Sequence, residues 1–206
     1  MKTLLAPSFK KGFTLVELLI VIGLLGAIAL IVIAAINPIE QANRARDARF
    51  RADGGQIISA VERYFASHSS FPWEGCAGSS CTTSSEAAFG FVSASDDGVG
   101  LCSGSSCATA GILVTGDELK SEFIARDFIK ATAVDKKIFV GKGQGSSSSM
   151  YACYIPLSKA TRDTAITNVK IRSLSFDANG VPSVNSACTT ANDNWGQNGC
   201  YVCIPE

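Results

Sequence analysis

The sequence predicts an α+β protein. A long N-terminal helix, membrane-spanning in its first half and amphipathic in its second, packs on a small antiparallel sheet. Three observations carry that prediction. Residues 13–36 read FTLVELLIVIGLLGAIALIVIAAI and are apolar apart from Thr14 and Glu17. After Pro38 the apolar positions fall on one helical stripe, with Phe50, Gly54, Ile57, Val61 and Tyr64 in line and Ile58 and Phe65 beside it. Beyond residue 137, short alternating segments are separated by Gly-, Ser- and Asn-rich turns.

The first element is a helix long enough to cross a bilayer, at about 1.5 Å per residue against a hydrocarbon core of about 30 Å. Lys2, Lys10 and Lys11 precede it, so the leader is expected to stay cytoplasmic while the C-terminal part crosses. A secretory signal peptide would have a shorter apolar core and a small-residue cleavage site. Here the run is too long and no clean A-x-A site precedes the polar region. A plain signal anchor explains all but Glu17 and the Lys11-Gly12-Phe13 junction. A carboxylate near the centre of such a helix costs about 2.5–3.5 kcal/mol on insertion scales, so Glu17 asks for a reason.

Lys11-Gly12-Phe13-Thr14-Leu15-Val16-Glu17 resembles the prepilin-type cleavage and methylation motif of type IV pilins and type II secretion pseudopilins. The resemblance is close over residues 10–36, weaker to Pro72, and a matter of layout beyond. It implies that a membrane aspartic peptidase cuts after Gly12 on the cytoplasmic side and N-methylates Phe13. Glu17 then becomes the fifth residue of the mature chain, where the family keeps a glutamate. A free α-amine has a reference pKa of about 7.7–8.0 and is largely cationic at neutral pH. A carboxylate one turn away, on the same or a neighbouring chain, can pair with it and offset the burial of both. In the family the partner is a neighbouring subunit, which makes Glu17 a register device. The bland alternative is a carboxylate that snorkels or sits protonated.

The apolar run stops at Asn37-Pro38-Ile39-Glu40. Pro38 strains a continuous helix, and the same residues read as a helix start, with Asn37 as N-cap, Pro38 at the first position and Glu40 closing a capping box. A kinked or two-part helix is expected, broken near the membrane surface; the resembling pilins also carry a proline in this zone and loosen the helix here on assembly. Gly23 and Gly26 suit close helix approach or local melting. The predicted organisation is a leader at 1–12, a transmembrane and assembly helix at 13–36, an amphipathic helix at 37–67 and a disulfide-rich globular head at 68–206. Arg44, Arg46, Arg49, Arg51 and Arg63 lie mainly off the stripe. They are read as a solvated face with some snorkelling toward headgroups; pairing with acids of neighbouring subunits is the sharper alternative. Gly54-Gly55 costs about 1 kcal/mol per glycine relative to alanine and marks a bend or a close approach.

Residues 67–110 are rich in Gly, Ser, Thr and Cys and are expected as a long, exposed loop region. Residues 115–129 are expected as one short helix with Leu119, Phe123 and Phe128 inward. Residues 137–142 and 150–156 are expected as strands flanking a flexible connection. A third strand is expected over 169–176, ended by the turn Asp177-Ala178-Asn179-Gly180, and a last one over 201–204. Trp73 and Trp195 lie in loops, where core or cap packing outweighs a role as exposed binding anchors.

Eight cysteines in one small exported domain indicate an oxidising compartment. Cys76-Ala-Gly-Ser-Ser-Cys81 and Cys102-Ser-Gly-Ser-Ser-Cys107 share a flexible spacer, so each reads as a local disulfide. Tyr151-Ala-Cys153 and Tyr201-Val-Cys203 look like matching strand positions, which suggests Cys153–Cys203 and leaves Cys188 for Cys200. Eight cysteines allow 105 pairings, so connectivity stays open at this level. Zinc is the rival reading, disfavoured by a single histidine, His68. Asn192-Asp193-Asn194 with Gly196 and Asn198 offers oxygens that match no defined calcium loop; a polar turn is the plainer reading.

The formal net charge is zero, and loss of the leader leaves 15 basic and 18 acidic residues, which gives no basic field for nucleic acid. No G-x-S-x-G, Walker A or paired-carboxylate motif is present, and His68 sits among serines at a helix end. The expected role is structural, with no cofactor and no metal. The resemblance implies a pilin precursor processed by prepilin peptidase, held in the inner membrane with its head outside the cytoplasm. It then polymerises with itself or related subunits on a pilus or secretion assembly machinery, to end in an extracellular pilus or a periplasmic pseudopilus. Within the family the alternative is a type II secretion pseudopilin; outside it, a membrane-anchored adhesin or DNA-uptake receptor. No ligand of the head is indicated.

Overall fold

The computed structural model describes residues 12–35, 37–76, 81, 82, 84–104 and 107–206. It is an α+β arrangement: an apolar N-terminal helix, a second helix, and a small antiparallel sheet. The chain divides into two compact units, Met1–Ile39 and Glu40–Glu206.

In the first unit the main element is α1, Leu15–Ala35. The described side chains of residues 15–33 are all exposed. Leu15–Ile33 is long and apolar enough to cross a membrane by length and composition.

The second unit is built on α2, Pro38–His68, which begins at the proline suited to a first helical position. Its buried residues include Phe50, Gly54, Ile57, Ile58, Val61 and Tyr64, the stripe with its flank. Four strands form the main sheet in the order β1–β4–β5–β8, all neighbours antiparallel: β1 Phe89–Ser93, β4 Ile138–Lys142, β5 Met150–Tyr154 and β8 Val202–Ile204. Alternation along the strands divides the core. Ile138, Val140, Ala152 and Tyr154 join the α2 stripe in one cluster. Phe139, Cys153 and Ile155 join Ile171, Trp195 and Tyr201 in another. At Gly54 the helix packs tightly on the sheet, since a Cβ there would lie 3.0 Å from Ala152 Cβ and 3.1 Å from Ile204 Cδ1. That position needs its glycine for a close approach.

Four sequence expectations are corrected. The span 67–110 is not an exposed loop. It supplies β1 at the sheet edge and the pair β2 Cys102–Ser103 and β3 Thr109–Ala110. It also buries Phe71, Trp73, Phe89, Val99 and Leu101. Phe65, Phe71, Trp73 and Phe89 stack ring on ring with centroids 4.2, 4.5 and 4.3 Å apart. Aromatic burial overrides the Gly/Ser composition here. Residues 115–129 are not one helix: α3 is Ile112–Thr115, a 3-10 turn follows at Ser121–Ala125, and α4 is Asp127–Lys130. Arg126 is extended, φ −64° and ψ 148°, and breaks the run, while Leu119, Phe123 and Phe128 are buried. The third strand does not start at Val169. That residue follows α5, Lys159–Thr167, with φ 53°, and the sequence reading missed this helix. β6, Arg172–Phe176, hairpins with β7, Pro182–Val184, outside the main sheet. Tyr201 makes only an isolated bridge to Arg172, ahead of β8.

Four of the five α2 arginines find acidic partners within the chain, and Arg44, Arg51 and Arg63 stay about half exposed, as the solvated-face reading expects; the intrachain pairing is what neither sequence alternative contained. Arg44 pairs with Glu40 at 3.2 Å, Arg63 with Glu118 at 2.9 Å, and Arg51 with Glu206. Arg46 pairs with Asp47 and lies 4.0 Å over the Phe50 ring.

Candidate functional site

The residues singled out for processing lie just ahead of α1. Gly12 is exposed, and a Cβ there would meet nothing within 4 Å. Phe13 is 87% exposed. Residues 1–11 of the predicted leader, Lys10 and Lys11 among them, lie outside the described residues, as does Ile36.

Glu17 sits in the first turn of α1 and bonds to its own chain. Its Oε2 accepts from the Thr14 amide at 2.9 Å and the Thr14 hydroxyl at 2.8 Å. In return the Thr14 hydroxyl accepts from the Glu17 amide at 3.2 Å. This is a reciprocal capping box, and it satisfies amides that would be orphaned at a helix start. The sequence reading missed it, although Thr14-x-x-Glu17 ahead of an apolar run is its signature. The box leaves Glu17 Oε1 with no hydrogen bond among the described residues, open to a further donor. Downstream, Gly23 and Gly26 present open backbone, with nothing within 4 Å of a built Cβ.

In the head, the first turns of α2 are fixed by polar groups. Glu40 accepts from Ser158 Oγ at 2.7 Å and from the amides of Lys159 and Ala160 at 3.1 and 3.3 Å. The Ser158 hydroxyl above all, with those amides and Arg44, holds its carboxyl down to about 2. Seven residues on, two helical turns along the same face, buried Asp47 accepts from the amides of Leu157 and Ser158 at 3.0 and 2.9 Å. Two carboxylates thus sit at the start of α5, where helix amides and dipole favour negative charge.

Other buried charges are less complete. Asp53 bonds Arg126 at 2.7 Å, but its Oδ2 has no partner among the described residues. Burial pushes its carboxyl up, against the pull of Arg126. Lys142 is fully buried and donates hydrogen bonds to the carbonyls of Gly143 and Gly145 beside the Phe71 ring, and burial lowers the pKa of its ammonium.

The structure joins Cys76 to Cys81, Cys102 to Cys107, Cys153 to Cys203 and Cys188 to Cys200, and no cysteine is free. Cys153 and Cys203 face each other across β5 and β8. Cys76 and Cys81 gather with Asp97 in a potential metal cluster, but disulfide sulfurs are not thiolate ligands. Asp193 spends its oxygens on the Thr189 and Thr190 amides and the Thr190 hydroxyl, and Asn194 Oδ1 accepts from Gln197. That segment is a capped turn. His68 is exposed and stacks on Tyr64 at 4.2 Å.

No curated protein and no solved structure matches the chain. Residues 8–33 match the family model of the prokaryotic N-terminal methylation motif. That motif implies processing by a prepilin peptidase and assembly into pilus-like polymers, and together with the apolar helix it fits membrane anchoring before assembly. Over residues 8–33 this chain thus carries the prokaryotic N-terminal methylation motif, a prepilin motif like that of type IV pilins and pseudopilins.

Proposed function

We propose that the chain is the precursor of a structural subunit of a type IV pilus-like filament. Cleavage falls between Gly12 and Phe13, Phe13 is N-methylated, and the mature chain polymerises through its N-terminal helix. The mature subunit then comprises an assembly helix at 13–36, the amphipathic helix at 37–67 and the disulfide-rich head. Before assembly it is held in the inner membrane with the head outside the cytoplasm. The observation that carries this reading is the methylation motif at 8–33. The fully exposed apolar face of α1 supports it, because such a surface requires lipid or other helices around it. The role is structural and not enzymatic.

Sequencing and mass analysis of the mature N-terminus test the reading. The expected species starts at N-methylated Phe13. A Gly12→Val precursor, with a bulky side chain at the cut, is expected to remain full length in the membrane and stay out of filaments. A mature chain starting elsewhere refutes the assignment.

A further inference from the structure

The two halves of α2 are fastened to the head by different means. From Phe50 to Tyr64 the helix is held by buried apolar side chains packed on the sheet. Before Phe50 its only buried residue is Asp47. There the attachment consists of polar bonds, most of them to one short segment, Ile155–Ala160, with Arg46 also donating to the Asp135 carbonyl. Glu40 holds the Ser158 hydroxyl and the amides of Lys159 and Ala160. Asn43 Nδ2 donates to Leu157 O at 3.4 Å, and Arg46 Nη1 donates to Ile155 O at 3.0 Å. Asp47 holds the amides of Leu157 and Ser158.

The receiving segment has its own supports. Ile155 is buried in the second core cluster. Arg162 donates to Pro156 O at 2.7 Å and to Ala191 O at 2.9 Å. Ser158 also caps α5 by accepting from the Thr161 amide. It can therefore stay in place when α2 lets go, with water taking over the exposed donors. Glu40 and Asp47 grip the same residue, Ser158, at its hydroxyl and its amide, so their bonds are coupled and break together.

We propose that residues 40–47 form a polar latch that undocks from the head as one unit, hinged ahead of Phe50, while the stripe from Phe50 to Tyr64 stays packed. Opening exposes little apolar surface, which places it among the low-energy sub-global openings. In the proposed filament subunit the latch stands at the start of α2 and lets the chain there change path without unfolding the head. That use rests on the proposed function; the undocking does not.

Hydrogen exchange followed by mass spectrometry on the full chain in detergent micelles tests it. Amides of 42–48, with those of Ser158–Ala160, are expected to exchange together, faster than those of 57–64, at a rate that low urea barely changes. Glu40→Gln should speed exchange at 42–48 and at Lys159 and Ala160 by about tenfold and leave 57–64 unchanged. Asp47→Asn should act on the same amides. The latch is refuted if 42–48 exchange at the rate and urea dependence of 57–64, if Glu40→Gln changes nothing, or if it speeds all regions alike. None of these readouts requires filaments, so failure of the latch and failure of the filament assignment are distinguishable.

Discussion

Gly54 of α2 packs directly on Ala152 of β5, with 3.0 Å between a built Cβ on Gly54 and the Ala152 methyl. Its neighbour Gly55 has nothing within 4 Å of such a Cβ. Two adjacent glycines of equal helix propensity thus have opposite reasons to exist. Gly55→Ala is expected to stabilise the head by about 0.5–1 kcal/mol, since it recovers helix propensity at no steric cost. Gly54→Leu is expected to cost about 3 kcal/mol, because Ala152 is fixed by the sheet ladder and cannot yield. Urea denaturation of the two variants checks the contrast; equal effects would mean that helix and sheet are less closely packed.

Asp47 and Asp53 are both buried, yet their removal should differ. Asp47 has two backbone amides and Arg46 as partners, so Asp47→Asn is expected to cost about 3 kcal/mol. Asp53 has one partner, Arg126, and an empty oxygen. Arg126 is partly exposed and can turn to water, so Asp53→Asn is expected to fall within about 1 kcal/mol of the parent at neutral pH. The raised Asp53 carboxyl makes its burial increasingly costly as pH rises through its titration. The asparagine variant should therefore compare best with the parent above that range and worst below it.

Glu40 gives an acid-side signature. Its carboxyl moves from an ordinary 4.5 to about 2 in the folded chain. A lowered carboxylate contributes stability that is complete above the unfolded value and is lost as pH falls through the folded one. Stability should therefore decline between about pH 4.5 and 2. Glu86 and Asp193 are lowered as well, so the Glu40 share is the part of the slope that Glu40→Gln removes. An identical slope in that variant would contradict the Glu40–Ser158 bond.

Among the disulfides, Cys153–Cys203 closes a sequence separation of 50 residues and Cys76–Cys81 one of 5. In the loop-entropy model these constrain the unfolded chain by about 4 and about 2 kcal/mol. Cys153→Ser also opens a core cluster. It should lower the midpoint of thermal unfolding well beyond the effect of Cys76→Ser, while leader cleavage continues in both. Thiol alkylation of the unreduced parent should label nothing, since no cysteine is free.

At the N-terminus, Glu17→Val removes an insertion cost and should still be cleaved and inserted. As sole subunit it should assemble poorly, because the proposed pairing of Glu17 with the Phe13 amine is lost. Thr14→Ala breaks the capping box from the other side and leaves the carboxylate. An intermediate filament yield from Thr14→Ala would separate the helix-capping role of Glu17 from its pairing role. Normal yield from Glu17→Val would show that Glu17 sets no register.

What was legible in the sequence was periodic or punctuated. The α2 stripe from Phe50 to Tyr64 and the helix break before Pro38 were readable because spacing and proline stereochemistry act locally. β1 was not, since Phe89-Gly-Phe-Val-Ser is short, irregular in register and set among Gly, Ser and Thr; only its pairing with β4 makes it a strand. α5 escaped because just Ala165 of its nine residues is buried. Its helix is imposed by Ser158, Glu40 and Asp47, the last two more than 100 positions away in sequence. The capping box at Thr14 was visible as a pattern, yet the one role assigned to Glu17 hid the other.

The two tryptophans give the head a built-in optical readout. Trp73 lies in the cluster shared with α2, stacked between Phe71 and Phe89. Trp195 lies in the cluster across the sheet, with the Arg162 guanidinium over its ring. One chromophore reports each side of the sheet. Emission from chains retaining a single tryptophan, followed through one denaturation curve, would reveal whether the two sides melt as one cooperative body or in succession.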